Sequence, residues 1–134
     1  SLLSSTGLAE RLGTSLAGAL GVDSLFPITI LAVVVAILIS ETTSNTASVG
    51  IVVPIIIPIA LAAGVNPVIP ALAAVFGASY GFMLPVSTPP NAIVYGSGMV
   101  PITKMVRSGV VFDVIGAVLI VLGVTVMARL TGLA

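Results

Sequence analysis

Long apolar runs broken by short polar islands organise this chain. Leu25–Ile39 is continuous and apolar, and so is Val49–Ala63, at 15 residues each. As a helix each arm would reach roughly 22 Å. A hydrocarbon core of about 30 Å usually takes about 20 residues, so neither arm spans it comfortably. Between them lies Ser40-Glu41-Thr42-Thr43-Ser44-Asn45-Thr46-Ala47-Ser48, which is almost wholly polar. This pattern predicts a re-entrant helical hairpin over 23–65 with a polar tip at 40–48, entering and leaving on one side. Irregular backbone at membrane depth is tolerated only when buried in protein or lining a wet cavity, so such a tip needs a function. The plainer alternative is two thin spanning helices joined by an aqueous loop.

Asn66-Pro67 marks the next boundary, because the residue before proline avoids the helical region. Pro67–Leu84 then reads as a helix of 18 residues. Ala73, Gly77 and Gly81 recur every four positions and form a small-residue stripe for close helix contact. At Pro85-Val86-Ser87-Thr88-Pro89-Pro90-Asn91 the pattern breaks: two adjacent prolines remove two donors and clash with the preceding turn. Apolar sequence resumes at Ala92–Tyr95 and runs into Gly96-Ser97-Gly98. The stretch 66–108 is thus expected to be one broken transmembrane helix, unwound over 85–91, followed by an interfacial loop at Met99–Ser108. Within 109–134, Gly109–Ala128 is a long apolar run, a conventional last transmembrane helix closed by Arg129. Residues 1–22 are mildly amphipathic, with Leu8, Leu12, Leu16 and Leu20 on one stripe. They suit either an interfacial or packing helix or an ordinary helix end.

Composition makes the bilayer the natural solvent. Hydrophobic residues are 58% of the chain and charged residues 6%, against about 25% charged in soluble proteins. Net charge is zero and the four cations are scattered, so nothing supports nucleic-acid binding. With no Cys and no His, disulfides and the common transition-metal sites are absent, and an enzyme is not expected. Lys104 and Arg107 sit together in a short segment, which the positive-inside tendency assigns to the cytoplasm. The hairpin would then open outward. The start at Ser1, without an initiator Met or a signal-peptide pattern, suggests a piece of a larger membrane protein.

The two polar islands carry the candidate chemistry. Transporters often bind substrate and coupling ions where helices are discontinuous, with helix N-termini facing anions and unwound carbonyls facing cations. After Ser44-Asn45-Thr46, the backbone donors of the second arm point at the tip. Pro89-Pro90 opens a half-helix, where proline is tolerated and Thr88 can cap. Hydroxyl, amide and freed carbonyl oxygens together suit Na⁺. Each residue also has a capping explanation, and it is the joint occurrence that points to a transporter.

Ser44-Asn45-Thr46-Ala47, followed some forty residues later by Met83-Leu84-Pro85-Val86-Ser87-Thr88-Pro89-Pro90-Asn91-Ala92-Ile93-Val94, resembles the C-terminal half of the divalent anion–sodium symporters. These are the dicarboxylate, citrate and sulfate carriers of the INDY type. The resemblance covers nearly the whole chain. It implies an all-α integral membrane fold that is one half of an inverted-repeat transporter: re-entrant hairpin, broken transmembrane helix and final transmembrane helix. It also implies a homodimer with an elevator-like transport domain in a bacterial inner (plasma) membrane, and an N-terminal repeat not present in these residues.

By that resemblance Asn45, Thr46, Thr88 and Pro89 contact the substrate, a small di- or tricarboxylate or sulfate. Ser40, Thr43, Asn45 and Ser87 surround one Na⁺, several through carbonyl oxygens, with Ser44, Pro90 and Asn91 in support. Ser87 stands where many members carry Ala, and Asp113 where Asn is common. Asp113 is expected to complement the dipole in the first turn of the last helix, and Glu41 to pair with a cation elsewhere. The implied function is sodium-coupled anion transport. Sodium-independent exchange of dicarboxylates and a non-transporting membrane scaffold are the alternatives, and a channel fits a dead-end hairpin less well.

Overall fold

Backbone polar groups in an apolar setting must be satisfied internally, and each apolar run accordingly becomes a helix. The computed structural model describes residues 24–133, with Arg11, Thr14, Ser15, Gly18, Ala19 and Gly21 ahead of them. The helix expected over 1–22 therefore falls almost wholly outside the described residues. Five helices follow in order: α1 (Leu25–Thr42), α2 (Asn45–Ala62), α3 (Val68–Ala78), α4 (Pro89–Gly96) and α5 (Ile102–Thr131). The fold is all-α, and α1, α2 and α5 are each long and apolar enough to cross a membrane.

Helix α1 is the hub. One side of it, Ile28, Ala32 and Ala36, packs with Val52, Ile56, Ile59 and Ala60 of α2 and with Ala74 and Ala78 of α3. Another side, Val33 and Ile37, packs with Ile69 and Ala73 of α3 and with Ile120, Val121, Val124 and Ala128 of α5. Small residues set the spacing, as expected for helices whose association rests on close packing rather than on expulsion of water. A Cβ on Gly77 would lie 3.0 Å from the Val33 carbonyl oxygen and 3.2 Å from Ala36 Cβ, so the backbones of α1 and α3 nearly touch. The outward stripe Phe26, Ile30, Val34 and Leu38 of α1 stays exposed, as does most of α5's far side, which includes Phe112, Leu119 and Leu122. Such faces suit lipid or protein, not water.

The limits of the elements differ from the expected ones in three places. First, the hairpin arms are 18 residues each, not 15, and only Thr43 and Ser44 separate them. The polar residues at 40–42 and 45–48 continue the helices because their side chains find partners: Ser44 Oγ accepts from the Ala47 N–H as N-cap (3.3 Å), and Ser48 Oγ donates to Ser44 O (3.1 Å). At roughly 27 Å, an arm of this length no longer argues by itself for re-entry. Proline at 54 and 58 lies inside α2, which is tolerated where neighbouring helices support the freed carbonyls. Gly64 at φ +70° lets the chain turn out of α2, with the Val65 N–H donating to Ala60 O (3.0 Å).

Second, α3 ends at Ala78, and the non-helical stretch runs from Ser79 to Thr88 rather than over 85–91. Third, α5 begins at Ile102, so Lys104 and Arg107 lie on its first turns instead of in a loop. At 30 residues it reaches roughly 45 Å, which leaves Lys104 and Arg107 at one end and Arg129 at the other free to lie beyond an apolar core of about 30 Å.

The stretch between α3 and α4 is pressed onto α5. A Cβ on Gly109 would lie 2.5 Å from both the Cα and the N of Met83, and one on Gly116 would meet the Tyr80 ring. Tyr80 can swing aside, but the Met83 backbone cannot. Gly109→Ala should therefore lower stability by about 1–3 kcal/mol, whereas Gly123→Ala, with open space around it, should not. Thermal unfolding of the purified protein in detergent checks this. Equal midpoints for the two variants would contradict the close approach.

Candidate functional site

The centre of the molecule is a polar knot where the end of α1 meets the non-helical stretch. Glu41 is 3% exposed, and the hydrogen-bond donors to its carboxylate among the described residues come from that stretch. The Met83 N–H donates to both carboxylate oxygens (3.0 and 3.1 Å), and the Leu84 N–H donates to Oε2 (2.8 Å). Ser87 Oγ also donates to Oε2 (2.8 Å), with Leu84 O and Glu41 O nearby at 2.9 and 3.2 Å. Charge-assisted bonds of this kind are about twice as strong as neutral ones. Opposite them, Asn91 Nδ2 donates to the carbonyls of Gly81 (2.9 Å) and Leu84 (3.1 Å). The amides of Met83 and Leu84 and the carbonyls of Gly81 and Leu84 are thus taken by side chains, which is why α3 does not continue to Leu84.

Ser40 lies beside this knot and is fully buried. Its Oγ is 2.7 Å from Ala78 O and 2.9 Å from Asn45 Oδ1, so it joins the end of α1, the start of α2 and the end of α3. Gly81 sits between the islands: a Cβ there would lie 3.0 Å from Ser87 Cβ, 3.2 Å from Ser40 Oγ and 3.4 Å from Ser40 O. Ser40 and Ser87 are therefore brought around one glycine although they lie over forty residues apart in sequence, and Asn45 joins them through Ser40. Their oxygens, with the carbonyls of Ser40 and Ala78, are the uncharged hard donors that suit a monovalent cation.

The remaining candidates are arranged differently. Ser44 and Thr88 cap α2 and α4, Thr88 Oγ1 accepting from the Asn91 N–H (3.4 Å). Thr43 is half-buried at the end of α1, its N–H donating to Ile39 O (3.1 Å). Thr46, Pro89 and Pro90 are exposed. At the start of α2, the amides of Asn45 and Thr46 have no partner within the helix and remain available to an anion. The start of α4 is poorer than its sequence promises. Pro89 and Pro90 have no N–H, and the amides of Asn91 and Ala92 are taken by Thr88 (3.4 and 3.1 Å). There the donor left for a ligand is the Thr88 hydroxyl.

Two residues differ from their sequence reading. Glu41, expected to pair with a cation elsewhere, has backbone amides and Ser87 as its hydrogen-bond donors among the described residues. Asp113 is not in the first turn of the last helix, because α5 starts at Ile102. It is 5% exposed, and among the described residues neither carboxyl oxygen has a hydrogen-bond partner. One signal for both was available: an ionisable residue inside or at the edge of an apolar segment is a functional candidate by default.

The model of the family described as the sodium:sulfate symporter transmembrane region matches residues 1–132. The chain belongs to this family. Its helices are those of an integral membrane protein, and the family is one of transporters rather than enzymes. Among curated proteins, a 63-residue segment is 41% identical to the sodium-dependent dicarboxylate transporter SdcS of Staphylococcus aureus strain USA300, and equally to that of strain NCTC 8325 / PS 47. The segment is 47% of this chain and 12% of each relative.

For this member of the sodium:sulfate symporters, Glu41→Gln should loosen the knot, since the amide NH₂ would face N–H donors. We expect a loss of about 1.5–3 kcal/mol and faster hydrogen exchange at Met83 and Leu84. Protection at those two amides equal to that of the parent would show that Glu41 does not hold them.

Proposed function

We propose that this chain supplies one half of the substrate and ion site of a sodium-coupled carrier of small dicarboxylates. The observation that carries the reading is the meeting of Ser40 and Ser87 at Gly81, with Asn45 bonded to Ser40, in a member of the sodium:sulfate symporter family. Sodium enters as a co-transported substrate, taken by oxygens of Ser40, Thr43, Asn45 and Ser87. If Ser40 Oγ gives its single proton to Ala78 O, its lone pairs and Asn45 Oδ1 are left to face a cation. The positive charge then favours an anion at the neighbouring donors, where Asn45, Thr46, Thr88 and Pro89 meet the substrate carboxylates. Ser44, Pro90 and Asn91 hold that geometry through the two caps and the 81–84 carbonyls.

This order of events makes anion binding depend on sodium without any direct link beyond shared residues. The remaining contacts come, in this reading, from a second repeat, and the carrier works as a homodimer. The hairpin is re-entrant in this account. The burial of Ser40 and Glu41 against the non-helical stretch supports a tip lodged in protein rather than in an aqueous loop. The choice of dicarboxylate over sulfate follows the similarity to the sodium-dependent dicarboxylate transporter SdcS.

Labelled succinate uptake into proteoliposomes, driven by an inward Na⁺ gradient against an equal K⁺ gradient, tests the reading. Uptake is expected with Na⁺ alone, outcompeted by unlabelled succinate more than by sulfate, and abolished by Asn45→Ala. Uptake unchanged by that substitution would remove Asn45 from the site. Equal uptake with K⁺ would remove sodium coupling.

A further inference from the structure

Between α1 and α5 lies an open apolar groove in two continuous parts, of about 320 and 260 Å³, which share Val34 and Ala117. Its α1 wall carries Phe26, Ile30, Val34 and Leu38, all exposed. Its α5 wall carries Val110, Val114, Val118 and Leu122, also exposed. Leu38 and Val110 share one end and Phe26 and Leu122 the other, so the two helices run antiparallel along it. Asp113 borders the groove, but its carboxyl oxygens are buried away from it. From Val110 to Leu122 the wall is roughly 18 Å long, little more than one leaflet of an apolar core of about 30 Å.

Two cations stand at one mouth of this groove. Lys104 and Arg107 lie on the first turns of α5, and steps of three and four residues carry their face into Val110, Val114 and Val118. Both are exposed. Among the described residues neither forms an ion pair, since the acids there, Glu41 and Asp113, are buried. Arg129 closes the same helix roughly 33 Å from Arg107. That separation matches an apolar core of about 30 Å and sets the Val110 end of the groove just inside the edge marked by Arg107. An apolar slot of one leaflet's depth, headed by two unpaired cations, has the chemistry of an acyl chain with a negative headgroup.

A further helix is the poorer occupant. Helices in lipid approach closely through small residues, and Gly77, Gly109 and Gly116 stand at the close backbone approaches of this molecule. The groove contains no glycine, and Ala117 is its one alanine. Its ridged walls of valine, leucine and phenylalanine suit a flexible chain instead.

We propose that the α1–α5 groove, with Lys104 and Arg107 at its mouth, is a binding site for an anionic phospholipid of the surrounding membrane. One acyl chain lies along the groove, and the headgroup phosphate meets the two cations. Arg107 can take the phosphate through paired N–H donors and Lys104 as a point charge. A zwitterionic lipid offers the same chains, but its own cation competes for the phosphate. No residue of the cluster at Gly81 lines the groove, so the proposal does not rest on sodium coupling.

The test uses the full-length protein carrying these residues, purified in detergent, with phosphatidylglycerol and phosphatidylcholine of the same acyl chains as probes. Native mass spectrometry should show tighter binding of phosphatidylglycerol, which should also raise the thermal midpoint. Lys104→Gln combined with Arg107→Gln should weaken phosphatidylglycerol binding by about tenfold or more, whereas Arg129→Gln should leave it unchanged. A photoreactive phosphatidylglycerol, activated on its acyl chain, should label residues 110–122 or 26–38, and Val118→Trp should reduce that labelling. Glycerol phosphate, which has the charge without the chains, should not raise the midpoint. Equal binding of the two lipids, or a loss in R129Q as large as in the double variant, overturns the headgroup contact. Glycerol phosphate acting as well as the lipid overturns the groove's part and leaves a bare anion site. Label absent from both helices overturns the proposal in favour of a protein segment lying on the groove.

Discussion

A carboxylate buried at the end of an apolar helix is tolerable only if its oxygens are occupied, and the arrangement of this molecule follows from how Glu41 meets that demand. Its donors lie on a stretch of chain some forty residues downstream. That stretch must leave the helical conformation to present two consecutive amides to one carboxyl group. Its carbonyls, released by the same unwinding, are partly taken up by Asn91. A helix that composition alone would extend is stopped by a side chain on another helix. The same exchange brings Ser87 against the hairpin, close to Gly81.

The hydrophobic packing is built to allow this approach. Helix α1 contacts α2, α3 and α5 through Ala32, Ala36, Val33 and Ile37, and Gly77, Gly109 and Gly116 remove the side chains that would hold backbones apart. In lipid, close packing and hydrogen bonds supply what the hydrophobic effect supplies in water. The polar knot and the small-residue contacts are therefore parts of one solution. Widening either contact would pull the amides of Met83 and Leu84 away from Glu41. In the proposed carrier, a joint held by side chains from two distant segments would make the ion and anion sites form together.

Much of the fold was legible in the sequence because apolar runs dictate helices. From residue 25 onward, the five helices and the small-residue stripe at Ala73 and Gly77 follow from Leu25–Ile39, Val49–Ala63, Pro67 onward, Pro89–Tyr95 and Gly109–Ala128. The pairing of the two islands was legible only through resemblance, since spacing alone does not bring Ser87 to Ser40. Helix limits were harder. Ser40, Glu41 and Thr42 read as loop by polarity, yet they stay helical because partners elsewhere satisfy Ser40 and Glu41. Ser79–Leu84 read as helix by composition, yet Glu41 and Asn91 claim its backbone. Asp113 was read as a dipole-complementing residue because the start of its helix was set seven residues too late. In each case the deciding contact is long-range, so no local window contains it. The prolines at 89 and 90 misled in the other direction: they mark the helix start correctly but leave it without free amides for an anion.

The central claim is that Glu41 and Ser87 act as one unit joining the hairpin to the non-helical stretch. A double-mutant cycle of Glu41→Gln and Ser87→Ala, read as unfolding free energy in detergent, measures that coupling directly. The account predicts a coupling energy within the roughly 0.5–3 kcal/mol seen for groups in one hydrogen-bond network. Additivity within about 0.3–0.5 kcal/mol, the behaviour of independent sites, would contradict it.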